Sequence, residues 1–446
     1  SGVFLFPSFT VISEKNLKKC IFAVIIVKLL KLFFFWVILE KRRYFMKNRD
    51  VYLKQLISFR DKPLIKVITG IRRCGKSTLL SLFEKHLIED GVPRERIIRM
   101  NFESFEFDDI SDYRELHAYI KERITDKNIR HYILLDEVQQ VNSWEKVINS
   151  FLVDADVDIY ITGSNAYLLS SELSTLISGR YVEIKMHPLS FREYLDFTEY
   201  DGSADVNEMF SQYLRYGGLP TVAVLLDNPE MVGPFLEGIY NTVLMKDVIE
   251  RNGVRDAALL ESILKFIAAN TGSAVSTKKI SDYLTSSGRK TSGETIDNYL
   301  KMLENAFIIY RASRYDFKGK MFLKTLEKFY IADIGIRNQL TGLRNTDYGH
   351  VLENVVYLEL LRRGYKVTVG KIGNLEVDFV AEKLDEKIYY QVSATIMDEN
   401  TRARELRSLE AVSDNYPKYI LTMDRHLYDD YGGIRIKNII DFLLER

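Results

Sequence analysis

The chain has 446 residues, 46% of them hydrophobic, which is too long for one ordinary core and leads us to expect two or three domains. Lysine plus arginine equals aspartate plus glutamate at 62 each, which excludes a whole-chain attraction to nucleic acid or an anionic surface and leaves only local charge to act. Two cysteines, Cys20 and Cys74, argue against a disulfide framework and fit a reducing, cytoplasmic compartment.

The first distinctive run is CIFAVIIVKLLKLFFFWVIL, Cys20 to Leu39, long enough to cross a bilayer. Lys28 and Lys31 interrupt it, and no small-residue cleavage site comes after it. The stretch Lys41-Arg42-Arg43-Tyr44-Phe45-Met46 back-translates as AAA AGG AGG TAT TTT ATG, a bacterial ribosome-binding sequence two codons before a start codon. Residues 1–45 are therefore expected to be translated upstream sequence, with Met46 as the natural start. A hydrophobic anchor, and with it a membrane partner, is the alternative if residues 20–39 are native.

Ile65 to Thr69 is a short apolar, β-branched run that reads as a buried strand. Gly70-Ile71-Arg72-Arg73-Cys74-Gly75-Lys76-Ser77 comes next and matches the phosphate-loop (Walker A) pattern G-x-x-x-x-G-K-[ST] at every fixed position. Its glycines let backbone N–H groups turn toward phosphates, Lys76 supplies charge, the Ser77 hydroxyl suits Mg2+, and Thr78 continues into a helix ending near Glu89. Ile97 to Phe102 is a candidate strand inserted between this loop and the next motif. That motif, HYILLDE from His131 to Glu137, is a strand ending in two carboxylates. Asp136 suits the metal, and Glu137 suits a base that polarises water. A further strand ends in Gly163 and delivers Ser164 and Asn165 either to the nucleotide or to the cap of the next helix. Arg180 precedes another strand, and could serve as a charge-stabilising finger within the subunit or in a neighbour, or else as a surface ion pair.

The combination GIRRCGKSTLL, YILLDEV, ITGSN, LISGRYVEIKMHPLSFREYL and YGGLP resembles the prokaryotic AAA-type ATPases that carry a C-terminal domain related to PD-(D/E)xK nucleases. The resemblance runs from about Met46 to the C-terminus. It implies an α/β fold, with ATP and Mg2+ bound by the loop residues, Ser77 and Asp136, water activated by Glu137, and Arg180 as a possible finger; in the mechanism expected here, Arg180 or Arg72 stabilises developing charge. The domains expected are an ATPase at 46–200, a helical and winged-helix segment at 201–345, and a nuclease-like domain at 346–446.

In the middle segment, Phe235 to Arg251 and Asp256 to Asn270 show helical periodicity. A short helix from Lys278 to Leu284, a polar turn, a second helix from Glu294 to Asn305 capped by Ser292, and two β-like runs, Phe307 to Arg311 and Lys324 to Ile331, are arranged in the order of a winged helix. Ser276 to Tyr330 carries 11 basic against 6 acidic residues. Arg289, Lys290, Lys301, Arg314, Lys318 and Lys320 are therefore candidate DNA phosphate contacts, and Asn298 a candidate base reader. A lid, or a docking module for a protein partner or a second copy, is the competing reading.

The C-terminal segment has an amphipathic helix, Gly349 to Arg363, and strand-like runs at Lys366–Gly370, Glu376–Ala381 and Lys387–Ser393. Glu353, Asp378 and Gln391 fall where a metal-dependent nuclease would hold its ion, but Gln391 replaces an acid and Ser393 replaces the water-activating lysine. Lys371 or Lys387 could substitute for that lysine. The expectation is a nuclease fold with lost or reduced cleavage, and an active ATP-regulated nuclease is the alternative. Arg402, Arg404 and Arg407 on the next helix are either DNA or partner contacts or a solvated face.

Overall fold

The computed structural model describes residues 47–166, 179–317, 319, 321–342, 348–425 and 430–445, with backbone alone at 321–325. Among these residues no helix is long and apolar enough to cross a membrane. The Cys20–Leu39 run lies outside them, as do Lys318 and Lys320.

Helix α1 (Asp50–Ser58) leads into β1 (Ile65–Thr69), helix α2 (Lys76–Glu89), β2 (Ile97–Asn101), α3 (Tyr113–Arg123), β3 (His131–Asp136), α4 (Trp144–Asp154), β4 (Val157–Gly163) and β5 (Tyr181–Lys185). The five strands form a parallel sheet in the order β2-β3-β4-β1-β5. Both faces are covered, which explains why the strands read as continuous apolar runs. Ile65, Val67, Ile133, Leu135, Ile159 and Ile161 point toward Leu116, Ile120, Val147 and Phe151 of α3 and α4. The alternate residues Ile68, Leu134, Tyr160 and Ile184 point toward Leu56, Leu80, Phe83 and Leu87 of α1 and α2. Each such side chain contributes about 1.5–3 kcal/mol by leaving water. The strand inserted in sequence, β2, stands at the sheet edge; the strand that separates β1 from β3 in space is β4.

Arg49 fastens this core to the helix beyond β5. Its guanidinium is buried and donates to the carbonyls of Cys74 at 2.9 Å and His187 at 2.8 Å, and to both carboxylate oxygens of Glu193 at 2.9 and 2.7 Å. Glu193 lies on that helix, α5 (Phe191–Phe197), whose N-cap Ser190 closes a reciprocal capping box with it. Burial raises the Glu193 carboxyl, but Arg49 outweighs burial and holds it below the usual range.

Beyond α5 come α6 (Val206–Tyr216) and α7 (Val232–Thr242), which runs without a break into a π-helix, Val243–Glu250. Next in the chain are α8 (Ala257–Ala269), β6 (Ala274–Val275), α9 (Thr277–Ser286), α10 (Gly293–Asn305), β7 (Ile309–Asp316), β8 (Met321–Ile331) and α11 (Ile334–Thr341). The chain closes with α12 (Tyr348–Arg362), β9 (Lys366–Ile372), β10 (Leu375–Lys383), β11 (Glu386–Ser393), α13 (Glu399–Glu410), β12 (Lys418–Thr422), β13 (Asp430–Tyr431), β14 (Ile434–Asn438) and α14 (Ile439–Leu444). The YGGLP turn docks on α11: Asp333 accepts from Gly218 N at 2.7 Å and Ile336 N at 3.1 Å. Gly217 has φ 83°, and a Cβ there would stand 2.3 Å from a carboxylate oxygen of Asp333, so no other residue fits.

Strands β6 to β14 form a single sheet in the order β13-β14-β12-β11-β10-β9-β7-β8-β6. Strand β7 pairs in parallel with β9, Arg314 opposite Val369. The sheet therefore crosses the boundary expected at 345/346, because the hairpin of the middle segment supplies edge strands to the last one.

Replacing Arg49 by Gln leaves Glu193 buried without its cation, and equilibrium denaturation is expected to show a loss of about 3–5 kcal/mol. Glu193→Gln in the same background should restore part of that loss.

Candidate functional site

The phosphate-type loop is shaped by its backbone. Gly70 has φ 143°, and a Cβ there would lie 2.1 Å from the Met186 carbonyl oxygen, so the loop can leave β1 only through glycine. Gly75 at φ 106° and Arg73 at φ 67° complete the turn, and α2 begins at Lys76. Ile71 and Cys74 are buried and anchor the loop from below; Arg73 and Ser77 are exposed, Thr78 half-buried. Burial pushes the Cys74 thiol up, which makes it a packing group. Lys76 is 4% exposed and donates to the carbonyls of Gly70 at 3.1 Å and Ile71 at 3.4 Å, with Glu137 Oε1 at 3.6 Å.

Parallel pairing brings three strand ends to this edge. Thr69 stands opposite Gly163, and Leu135 opposite Ile161, so Asp136-Glu137 and Ser164-Asn165 emerge beside the loop. Asp136 is fully buried and accepts from the Thr162 hydroxyl through Oδ1. Burial raises its pKa, opposed by hydrogen bonds from Thr162 and Ser77. Its Oδ2 is buried and has no hydrogen-bond partner among the described residues. A buried carboxylate oxygen left over beside a serine hydroxyl fits Mg2+, which takes hard oxygen ligands. Glu137 takes a left-handed backbone conformation, φ 55°, which costs of order 1–3 kcal/mol and is characteristic of functional strand ends. Its Oε2 accepts from Gln139 at 2.5 Å and Ser164 at 3.1 Å. Burial opposes ionisation of Glu137, yet Lys76 foremost, then Gln139, Arg72 and Ser164, hold the carboxyl below its ordinary range. It is therefore a carboxylate at neutral pH, as a base requires.

One member of this site carries no motif. Asp247, in the π-helix, is 1% exposed and receives Arg72 bidentately, Nε at 3.0 Å and Nη2 at 3.1 Å. Ser164 Oγ lies 3.5 Å from Asp247 Oδ1, and Asn165 Nδ2 donates to the Asp247 carbonyl at 3.3 Å. The other arm of Arg72 reaches Glu103 at 2.6 Å. Asn165 is thus held by the helical segment; the helix it was alternatively expected to cap lies outside the described residues.

Arg180 does not join them. Its carbonyl accepts from Ile65 N at 2.8 Å, and Tyr181 stands opposite Ile65, at the beginning of β1. A residue that precedes a parallel strand lies at the sheet edge opposite the one its end reaches, here about 16 Å away for five residues. The within-subunit finger expected of Arg180 is therefore corrected: its exposed side chain can reach a phosphate only in another copy.

The expected DNA contacts divide. Arg289, Lys290, Asn298 and Lys301 are exposed, Arg289 with Asp256 at 3.7 Å. Arg314 is 7% exposed and paired with Glu376 at 3.3 Å, which withdraws it as a phosphate contact. Helix α10 presents Lys301 among Glu294, Asp297 and Glu304, so the basic surplus of the segment does not lie on its central helix.

In the C-terminal segment, Glu353 of α12 and Asp378 of β10 do meet, in a cleft of about 800 Å³. Lys328 of β8, absent from the expected set, stands between them, 2.8 Å from Glu353, 2.9 Å from Glu376 and 3.3 Å from Asp378. Gln391 is corrected as a metal ligand: its carbonyl accepts from Asp378 N at 3.1 Å and its amide donates to Glu405 at 2.8 Å. Ser393 donates to the Thr395 carbonyl. Lys387 stands away from the cluster, beside Glu382 and Tyr389 at the start of β11, whereas Lys371 lies on β9 opposite Glu376. Among the described residues no group of three or more His, Cys, Asp or Glu side chains is arranged to hold a metal. Burial foremost, then Glu353, raises Asp378 to about 7, while Lys328 outweighs burial at Glu353 and keeps it below the usual range.

Comparison with known proteins gives a family match for the segment that carries the loop. The AAA domain family matches residues 62–195, and a domain of unknown function (DUF8612) matches residues 207–347. An uncharacterized protein of Haemophilus influenzae is 43% identical over 401 residues, 90% of this chain and 99% of that protein. An uncharacterized protein of Methanocaldococcus jannaschii is 29% identical over 87% of this chain and 86% of its own length. Among solved structures, the Walker-type ATPase of Pyrococcus abyssi is similar with 18% identity and a TM-score of 0.49, over 66% of this chain and 95% of that one.

Lys76→Ala is expected to abolish ATP binding in a nucleotide titration. Glu137→Gln should bind ATP like the parent but turn it over at least about 100-fold more slowly, the loss expected for a missing general base.

Proposed function

We propose, for a chain that belongs to one family with the Haemophilus influenzae protein and carries an AAA-type P-loop ATPase domain, that ATP works here as a switch on the helical segment after residue 200. The domain binds and hydrolyses ATP, as its family does. The loop from Gly70 to Thr78 cradles the phosphates, Lys76 neutralises the β- and γ-oxygens, and Ser77 and Asp136 hold Mg2+. Bound there, the ion offsets the charge of the phosphate chain. Glu137, kept ionised, orients and polarises the attacking water, with Ser164 and Gln139 fixing its carboxylate.

The observation that carries the switch is the bidentate contact of Arg72 with Asp247. A γ-phosphate and the Asp247 carboxylate ask for the same donor, Arg72, because both are anions that accept planar or convergent hydrogen bonds. ATP then displaces Asp247, and the π-helix with it, while Arg72 passes to the phosphate and serves as the charge-stabilising group. Hydrolysis and phosphate release let Asp247 return. A ligand can shift such an equilibrium only through unequal affinity for the two states, and exchange of a shared donor supplies that inequality. The exchange of Arg72 between Asp247 and the nucleotide thus sets the position of α7, the π-helix and the elements attached to them.

The output is proposed to be a protein contact, with a second copy or another chain, in preference to DNA. Arg314 is paired internally, and on α10 Lys301 shares the helix with Glu294 and Asp297, which weakens the case for that helix as the nucleic acid contact. A nuclease reading draws no support from a cleft whose three carboxylates are already paired with Lys328.

Asp247→Asn weakens the internal competitor and is expected to tighten ATP binding roughly tenfold, about 1.4 kcal/mol. Unchanged or weaker binding would count against the exchange. Turnover measured at low salt with and without duplex DNA should be the same within error, and a DNA-stimulated rate would restore the DNA-coupled reading.

A further inference from the structure

The charge cluster in the C-terminal cleft is independent of the nucleotide site. Glu353 comes from a helix, Glu376 and Asp378 from one strand, and their carboxylates converge on a single point. Three carboxylates this close cannot all ionise without a cation among them. The cation is Lys328 Nζ, 4% exposed, with one carboxylate oxygen from each at 2.8, 2.9 and 3.3 Å. These are ammonium–carboxylate hydrogen-bond lengths, longer than the about 2.0–2.6 Å of magnesium or calcium to oxygen.

The lysine is fixed from every side. Its strand β8 is paired on both edges, with Lys328 opposite Ala274 of β6 and Ala312 of β7. Tyr330 donates to the same Glu353 oxygen at 2.6 Å, which leaves that oxygen with two donors. Arg314 stands behind Glu376 at 3.3 Å as a second cation. The Gln391 carbonyl accepts from Asp378 N and holds that carboxylate's backbone in place. A divalent ion entering here would have to expel a buried ammonium.

We propose that Lys328 is the resident cation of this cleft: the chain's own ammonium holds the place of a divalent metal, the cleft binds no such ion while Lys328 is present, and removing that ammonium lets Glu353, Glu376 and Asp378, spaced for an ammonium and not for a metal as they stand, draw in around a divalent cation. The carboxylates are thereby kept folded together as a structural cluster, and the cleft operates without metal.

The test uses the full chain free of nucleotide and Mn2+ as the probe. Calorimetric titration of Lys328→Met should show one Mn2+ bound at least roughly tenfold more tightly than in the parent. That gain should vanish in Lys328→Met/Asp378→Asn, and Lys328→Arg, which keeps a cation, should behave as the parent. Absence of the gain in folded Lys328→Met would overturn the proposal. A second measurement needs no lysine-free variant: in the parent labelled with 15N-lysine, the Lys328 ammonium resonance should persist unbroadened as Mn2+ is added. Paramagnetic loss of that resonance, reversed by Glu353→Gln, would mean that the parent cluster takes metal, and the proposal would fail.

Discussion

A buried carboxylate needs a cation, and in this protein Asp247 finds its cation 175 residues away, in the phosphate-binding loop. That requirement joins the phosphate-type loop to the helical segment after residue 200. It places a π-helical turn against the strand ends that carry Glu137, Ser164 and Asn165. A π-helix is a rare and less favourable geometry, and its presence at this contact is what a segment under such a constraint would show. The site is thus built from two layers: the strand ends beside the phosphate-type loop, and a helix that, in the proposed switch, reads whether phosphate is there.

The same rule of internal compensation governs the rest of the interior. Arg49 with Glu193 ties the loop's Cys74 carbonyl to the exit of β5. Lys328 with its three carboxylates ties β8, β10 and α12 together. In each case a long side chain from one element satisfies acids on others, and truncating either partner strands a charge in low dielectric. Such pairs contribute modest net stability, but they fix which elements lie together. They differ in that only the Arg72 pair faces a site where a competing anion is expected.

The nucleotide edge was legible because its chemistry sits at fixed spacing after apolar runs: GIRRCGKS after β1, Asp136-Glu137 after β3, Ser164-Asn165 after β4. Strand direction then brings them to one edge. The same logic, applied strictly, removes Arg180, which precedes its strand and so belongs to the far edge. Asp247 was hidden because in NTVLMKDVIER it looks like any polar residue on an amphipathic helix; only tertiary contact shows that it is buried. Lys328 left a fainter trace, a lysine inside the apolar run KFYIA, where alternation alone does not say which way it faces. The run from β7 to β9 was not legible at all, since strand pairing across some 50 residues leaves no local pattern.

The central claim is that nucleotide takes Arg72 from Asp247 and frees the π-helix. Amide hydrogen exchange across Val243–Glu250, with and without a non-hydrolysable ATP analogue and Mg2+, tests it most directly. Slow exchange is expected in the nucleotide-free protein and faster exchange when the analogue is bound. Exchange that is unchanged or slowed by the analogue, with binding verified in the same sample, would contradict it.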